Sequence, residues 1–349
     1  MNTQQEQFDY RDAELDPGPE RIQAVAPASS LPPERAPGPS EPSWRQRALG
    51  ACKHALYANP AAHPVVALLN RVLPPPRVEL GHYQIVVPRL PPHLNGLRVL
   101  HVTDLHLHGR AQGAEMVPDI AAATPHNLIC YTGDFIDCDE DLPRLARLLQ
   151  RMPRHAPAYA VLGNHDYIPF GRGKGANDAT QLCETLAAAG ISVMTNRARP
   201  LFEGAIYLAG VDDPATGRDD LDRALEGLPD ECVLLLAHSP DIVLRLGSHC
   251  PSLILAGHTH GGQVRLPFIG PVLTECRLPR RLIMGLHHWH GTPLFVSRGV
   301  GYSGLEIRIG CPPEIAVLTL CSPATEHQAT ARSEGTAPDW PDVMSPESA

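Results

Sequence analysis

Charge is scarce in this chain and unevenly signed: charged residues make up 19% of 349, and 38 Asp and Glu outnumber 29 Lys and Arg for a formal net charge of −9. That balance disfavours a general nucleic-acid binder, whose footprint is basic. No run of about 18 apolar residues exists, so no segment reads as a membrane span. The first residues, MNTQQEQFDYRDAELD, are polar and acidic, unlike a secretory signal. There are 9 Cys, but no pair has the C-x-x-C spacing of a zinc knuckle or a thiol–disulfide motif. Cys130 and Cys232 lie inside apolar runs and read as reduced, buried thiols, which favours a reducing compartment. Neither a nucleophile elbow around Ser239 nor Walker spacing is found. No internal repeat is visible.

Hydrophobic residues reach 43% and Pro is abundant at 37 residues. This combination gives one large α/β domain with loops and tails, or two modest domains. Residues 1–43 are rich in Pro, Ser, Gln and acid without apolar periodicity, and 322–349 read alike; both are expected to be disordered. Residues 44–76 differ. Arg45, Arg47, Lys53 and Arg71 occur there without Asp or Glu, and Trp44, Ala48, Cys52 and Leu56 share a helical face before Pro74-Pro75-Pro76. Such a segment (44–73) either lies on an anionic membrane surface or packs on the catalytic domain.

From Val78 the texture changes, and 77–321 reads as the catalytic domain. LRVLHVTDLH, NLICYTGDF, AYAVLGNHD, CVLLLAHSP and SLILAGHTH each read as a buried strand closed by a turn. PLFVSRG and EIAVLTL add two strands, and helical stretches over 142–151 and 178–190 predict an α/β core. Functional groups gather at the carboxyl ends of strands in such sheets. Five strand-like runs here end in metal-binding residue types. Asp104 and His106, two apart, share a side of an extended segment, and His258 and His260 repeat the spacing. Asp134 follows a glycine, where a carboxylate bridges two ions. Asn164 offers a neutral oxygen, and His238 ends the fourth run. This mixture of oxygen and imidazole suits Mn, Fe, Zn or Co better than Ca. Two ions about 3.5–4 Å apart are the geometry of two-metal hydrolysis, in which a hydroxide held by both attacks phosphorus. His165 is the candidate proton donor to the leaving oxygen. Asp137 is the candidate that orients its ring, with Asp166 an alternative.

DLH, GDFID, GNHD, AHSP and GHTHGGQ, in this order, resemble the calcineurin-like metallophosphoesterase superfamily over roughly 78–320. The resemblance implies a four-layer α-β-β-α sandwich with two mixed β-sheets. It implies one ion on Asp104, His106, Asp134 and His260, a second on Asp134, Asn164, His238 and His258, and His165 as the catalytic histidine, with manganese the leading metal. VELGHYQIVVPRLPPHLNGLRVLHVTDLH and the closing FVSRGVGYSGLEIRIGCPPEIAVLTL also resemble bacterial membrane-associated phosphodiesterases, some of which hydrolyse UDP-2,3-diacylglucosamine in lipid A synthesis. That likeness implies a nucleotide-linked lipid substrate and a cytoplasmic protein peripheral to the inner membrane. A soluble phosphate ester is the alternative substrate, and a catalytically silent metal-binding scaffold the alternative from another class. No nucleic-acid partner is expected.

Weaker signals have plainer readings. Gly299, Gly301 and Gly304 match G-x-G-x-x-G, but a strand-like LEIRIG follows where a dinucleotide site needs a helix. Arg172 and Lys174, on a glycine-rich loop after GNHD, either contact a substrate phosphate or are solvated. His287, His288 and His290 read as a polar loop, and His101 and His108 as supporting or surface residues.

Overall fold

The computed structural model describes residues 76–108, 112–169, 177–272, 274–304 and 306–323. The readings of the segments 1–43 and 44–73, of the tail from 324 onward, and of Arg172 and Lys174 fall outside those residues. Among the described residues no helix is long and apolar enough to cross a membrane.

The runs that read as buried strands are strands: β2 (Leu97–Val102), β3 (Leu128–Thr132), β4 (Ala158–Val161), β8 (Cys232–Leu236) and β9 (Leu253–Ala256). In the first sheet β1 (Glu79–Val86), β14 (Glu314–Cys321), β2, β3, β4 and β5 (Ile191–Val193) lie side by side in that order. The second runs β12 (Gly285–Trp289), β13 (Thr292–Val296), β9, β8, β7 (Ile206–Gly210) and β6 (Arg197–Leu201). Both sheets are mixed. The pairs around β2–β3–β4 and β7–β8–β9 are parallel, and antiparallel pairs join β14 to β2, β12 to β13 and β6 to β7.

Why the sheets stack follows from the period-2 alternation of side chains. Along β3, Leu128 and Cys130 join a core shared with Leu234, Leu236 and Leu255 of the second sheet. Ile129 and Tyr131 point the other way, into a core covered by α2 (Val117–Ala123), which follows the single turn α1 (Gln112–Glu115), and by α3 (Leu142–Gln150) and α4 (Ala179–Ala188). Along β8, Cys232, Leu234 and Leu236 face the first sheet. Val233 and Leu235 face α5 (Leu221–Leu225) and the 3₁₀ turn Pro240–Arg245. Strands buried on both faces read as continuous apolar runs rather than alternating ones. Four layers, α-β-β-α, result.

Elements that the sequence reading left out lie mostly at the edges. β6 has the sequence RARPL, with a proline that an edge strand tolerates because one side needs no ladder. β1 is half exposed, and its partner β14 arrives from more than 200 residues away. His287 and His288 belong to β12 rather than to a polar loop, and adjacent strand positions send their rings to opposite faces. A buried network closes that end of the sandwich. Glu314 of β14 receives Tyr83 Oη at 2.5 Å and Arg298 Nη2 at 3.1 Å, joining β1 to the segment after β13.

The inter-sheet core carries much of the stability. Leu234 is fully buried within it, so Leu234→Ala should cost about 2–5 kcal/mol through lost transfer energy plus a cavity. Equilibrium denaturation with an unchanged m-value would register it.

Candidate metal centre

Five strand ends from the two sheets open onto one place: Asp104 and His106 follow β2, Asp134 and Asp137 follow β3, and Asn164 and His165 follow β4. His238 follows β8, and His258 and His260 follow β9. The two-apart pairs do not share a side by lying on extended backbone. Asp104 (φ 54), His106 (φ 41), Asp134 (φ 53), His258 (φ 69) and His260 (φ 48) are all left-handed. Each such residue costs of order 1–3 kcal/mol and persists only where its surroundings overdetermine it. Turning at alternate residues brings two side chains into one cavity that a pleated strand would keep spaced along its length.

The side chains form two groups. Asp104, His106 and His260 are one, with 3.1 Å between His106 Nε2 and His260 Nε2 and 3.4 Å between His260 Nε2 and Asp104 Oδ1. Asp134, His238 and His258 are the other, with 3.1 Å between His258 Nδ1 and His238 Nε2. Asn164 Oδ1 joins the second at 3.2 Å from His238 Nε2. Asp134 Oδ2 lies 3.4 Å from His106 Nε2 and 3.2 Å from His238 Nε2, so one oxygen faces both groups.

The outward ring nitrogens test whether cations fit here. His238 Nδ1 lies 2.6 Å from the Thr132 carbonyl, and His258 Nε2 lies 3.0 Å from the Glu275 carbonyl. Carbonyls only accept, so those nitrogens carry the protons. In the neutral rings of His238 and His258 the inward nitrogens, His238 Nε2 and His258 Nδ1, are then lone pairs pointing at one another. Converging lone pairs around a buried carboxylate need a cation or shared protons between them, and the donor set suits transition-metal divalent ions. Asp104, His106, Asp134 and His260 would hold one ion; Asp134, Asn164, His238 and His258 would hold the other.

Supporting contacts place these groups and alter two expectations. Asp137 Oδ1 lies 2.7 Å from His106 Nδ1, so this carboxylate orients a metal-facing histidine rather than His165. Asp166 does not hold an imidazole either. Its two oxygens accept from the backbone N–H groups of Asp134, Phe135, Ile136 and Gly163, which clamps the turn after β3 to the turn after β4. His165 contributes its backbone N–H to Asp134 Oδ1 at 2.8 Å, and its ring packs edge-on against His106 at 5.2 Å. Close approach explains the glycines of these motifs. A Cβ on Gly163 would collide with Asp134 Oδ1, and one on Gly257 with Asp104 Oδ2. Gly299 and Gly301 pack on the Asp104 turn, where Gly301 N donates to the Asp104 carbonyl at 2.6 Å.

Arg308 was not signalled by any motif. It is buried and donates to His260 Nδ1 at 3.0 Å and to the carbonyls of Arg298, Gly299 and Gly301. Its place inside the strand-like LEIRIG is the one sequence cue, since a lone Arg in such a run needs a buried acceptor set.

The calcineurin-like phosphoesterase family matches residues 97–262. The metallophosphoesterase YkoQ of Bacillus subtilis (strain 168) is 33% identical over 227 residues, 63% of this chain and 82% of that protein. A second Bacillus subtilis metallophosphoesterase, YkuE, is 30% identical over 72% of this chain and 88% of its own length. The phosphodiesterase YaeI of Escherichia coli (strain K12) is 31% identical over 64% of this chain and 82% of its own length. The chain belongs to the calcineurin-like metallophosphoesterase family. It is a hydrolase of phosphoric ester bonds that uses a divalent metal centre.

The electrostatics of this metallophosphoesterase centre show what an ion replaces. Burial lowers His106, but the Asp137 hydrogen bond and the charges of Asp134 and Asp104 push it up to about 9. Burial likewise opposes protonation of His238, and Asp134 overrides it, to about 10. Asp134, despite its burial, is held well below the usual carboxylate range by His238 and His165. His260 is kept neutral by burial, His106 and Arg308. Without an ion, two imidazolium protons balance the carboxylates; an entering ion displaces them.

The sign follows. The raised pKa values of about 9 and 10 put both protons in place at neutral pH. Apparent affinity for each ion should therefore rise by about tenfold per pH unit through the neutral range, with about one proton released per ion. Titration calorimetry in buffers of different ionisation enthalpy measures that release directly; none released would overturn the protonation pattern.

Proposed function

We propose that this metallophosphoesterase cleaves a phosphodiester or pyrophosphate bond, and that its substrate is a nucleotide-linked lipid of the UDP-2,3-diacylglucosamine kind. Two divalent ions, manganese first among Mn, Fe, Zn and Co, supply Lewis acidity and lower the pKa of water. The observation that carries the hydrolytic reading is Asp134 Oδ2 facing both histidine groups, within 3.4 Å of His106 and 3.2 Å of His238.

The chain's own residues account for the rest of the chemistry. Asp137 and the Thr132 and Glu275 carbonyls hold the imidazoles at fixed tilt, so little reorganisation is needed as charge develops at phosphorus. His165 is half-buried beside Asn164. Burial lowers its pKa, with His106 adding to the effect against the pull of Asp134. The approach of an anionic phosphate raises the proton affinity of this ring, which takes up a proton and, as the imidazolium, gives it to the leaving oxygen.

An amphiphilic substrate is supported by the chain that leaves the centre. After His260, β10 (Arg265–Leu266) and β11 (Gly270–Pro271) form a hairpin anchored by Arg265 Nη1 on the Gly261 carbonyl at 2.9 Å. Its tip exposes Leu266, Phe268 and Ile269, with Phe268 as exposed as in a free peptide. Arg277, Arg280 and Arg281 are exposed on the stretch just after Glu275, whose carbonyl meets His258. Apolar tips with basic neighbours fit acyl chains and anionic headgroups at an interface. The phosphodiesterase YaeI, 31% identical, supports a diester rather than a monoester. The second reading, a soluble phosphate ester, leaves the hairpin without a role in catalysis.

Release of UMP from UDP-2,3-diacylglucosamine by the manganese-loaded full chain is the expected result; cleavage of a chromogenic phosphodiester alone would remove the lipid substrate. Phe268→Asp should lower the lipid-substrate rate about tenfold or more, by loss of apolar contact, and leave the soluble diester rate unchanged. His165→Ala should lose about 10²–10⁴ in kcat with metal content retained, whereas Asp134→Ala should lose metal and rate together. Full activity in both variants would overturn the site assignment.

A further inference from the structure

A third set of metal-binding side chains lies on the outer flank of the centre. His108 follows the DLH motif by two residues, and Cys138 and Asp141 bracket the 3₁₀ turn after Asp137. His108 Nδ1 is 3.9 Å from Cys138 Sγ and 3.5 Å from Asp141 Oδ1, and Cys138 Sγ is 3.4 Å from Asp141 Oδ2. The first two are a long sulfur hydrogen bond and a long ion pair, weak contacts that hold the side chains together without locking them. They match something else. Nitrogen, oxygen and sulfur donors at zinc-ligand bond lengths and tetrahedral angles stand about 3.3–3.6 Å apart. The observed separations fall within a few tenths of an ångström of that range, the imidazole's measured to Asp141 Oδ1 and the sulfur's to Asp141 Oδ2.

Two features prepare the group for a cation. Asp141 Oδ2 accepts the backbone N–H groups of Asp137 and Cys138, each at 3.3 Å, which sets the carboxylate with Oδ1 toward His108. The Glu140 carboxylate also sits against the Cys138 thiol, placing a further oxygen donor on the solvent side. Two carboxylates around one sulfur repel a bare thiolate and favour a thiolate that carries a divalent ion.

We propose that His108, Cys138 and Asp141 form a separate mononuclear site for a zinc-class divalent ion, with its fourth position open to Glu140 or water. Binding exchanges the Cys138 thiol proton for a metal–sulfur bond, and the proton leaves to solvent. The site is a positioning device for the neighbouring centre. Asp141 grips the N–H of Asp137, whose carboxylate holds His106 at 2.7 Å. An ion on Asp141 therefore stiffens the turn that orients one of the two-ion ligands.

Sulfur distinguishes this site from the two-ion centre, whose donors are nitrogen and oxygen throughout. The metal-stripped full chain is titrated with Co²⁺ while near-ultraviolet absorption and bound metal are recorded. A thiolate-to-cobalt charge-transfer band saturating at one equivalent is expected, with three ions bound per chain. Cys138→Ala and His108→Ala should each abolish or sharply weaken the band, reduce the content to two ions and lower kcat for the soluble diester with KM unchanged. His108 is 42% exposed at its side chain, so its variant folds even if loss of Cys138 disturbs the turn. Absence of the band in the wild-type chain, or a band and three-ion content unchanged in both variants, overturns the proposal.

Discussion

A buried carboxylate facing an imidazole on either side is the constraint on which this structure turns. Asp134 is 1% exposed, and its Oδ2 meets a histidine from each sheet. A charge removed from water at that depth is tolerable only when fully compensated, by protons on His106 and His238 or by the ions those histidines hold. Compensation from both sides requires the ends of β3, β2 and β8 to stand at one height. The stacking of the two sheets is thus tied to the chemistry: moving one sheet along the other would strand a carboxylate.

The cost of that arrangement is visible in the backbone. Left-handed turns at Asp104, His106, Asp134, His258 and His260 are unfavourable one by one, and the surroundings hold them. Asp166 secures the Asp134 turn and ties it to the turn after β4 through four backbone N–H groups. Asp104 accepts the His258 N–H with both oxygens, at 3.0 and 3.1 Å, which laces the first sheet to the second. Gly163 and Gly257 give the clearance for those contacts. Strain, clamp and clearance all lie at the strand ends, while the strand interiors carry ordinary apolar packing.

Much of the site was legible because its residues are packed into short motifs after apolar runs. Asp104 through His260 were identifiable one by one, and so were the strands that present them, since runs buried on both faces carry a strong local signal. Partnerships were less legible. Asp137 turned out to serve His106, and Asp166 to serve the backbone, because which imidazole a carboxylate reaches depends on turn geometry and not on spacing. Arg308 had no motif at all: its partners are backbone carbonyls, and carbonyls have no sequence identity. The edge strands β1, β6 and β12 were hard to read because they are half exposed, and β1 in addition has its partner β14 more than 200 residues away.

The sequence by itself determined the chemistry of the protein: donor types, their order, and the alternation of apolar runs that makes a double-sheet core. These are local properties, encoded in side-chain identity and period. Tertiary structure alone decided that Asp137 serves His106 and Asp166 the backbone, and which group meets the outer nitrogen of each metal-facing imidazole. It also brought His108 of one motif beside Cys138 and Asp141 of another. Those outcomes depend on how two sheets stack and how five turns bend, and long-range packing settles both.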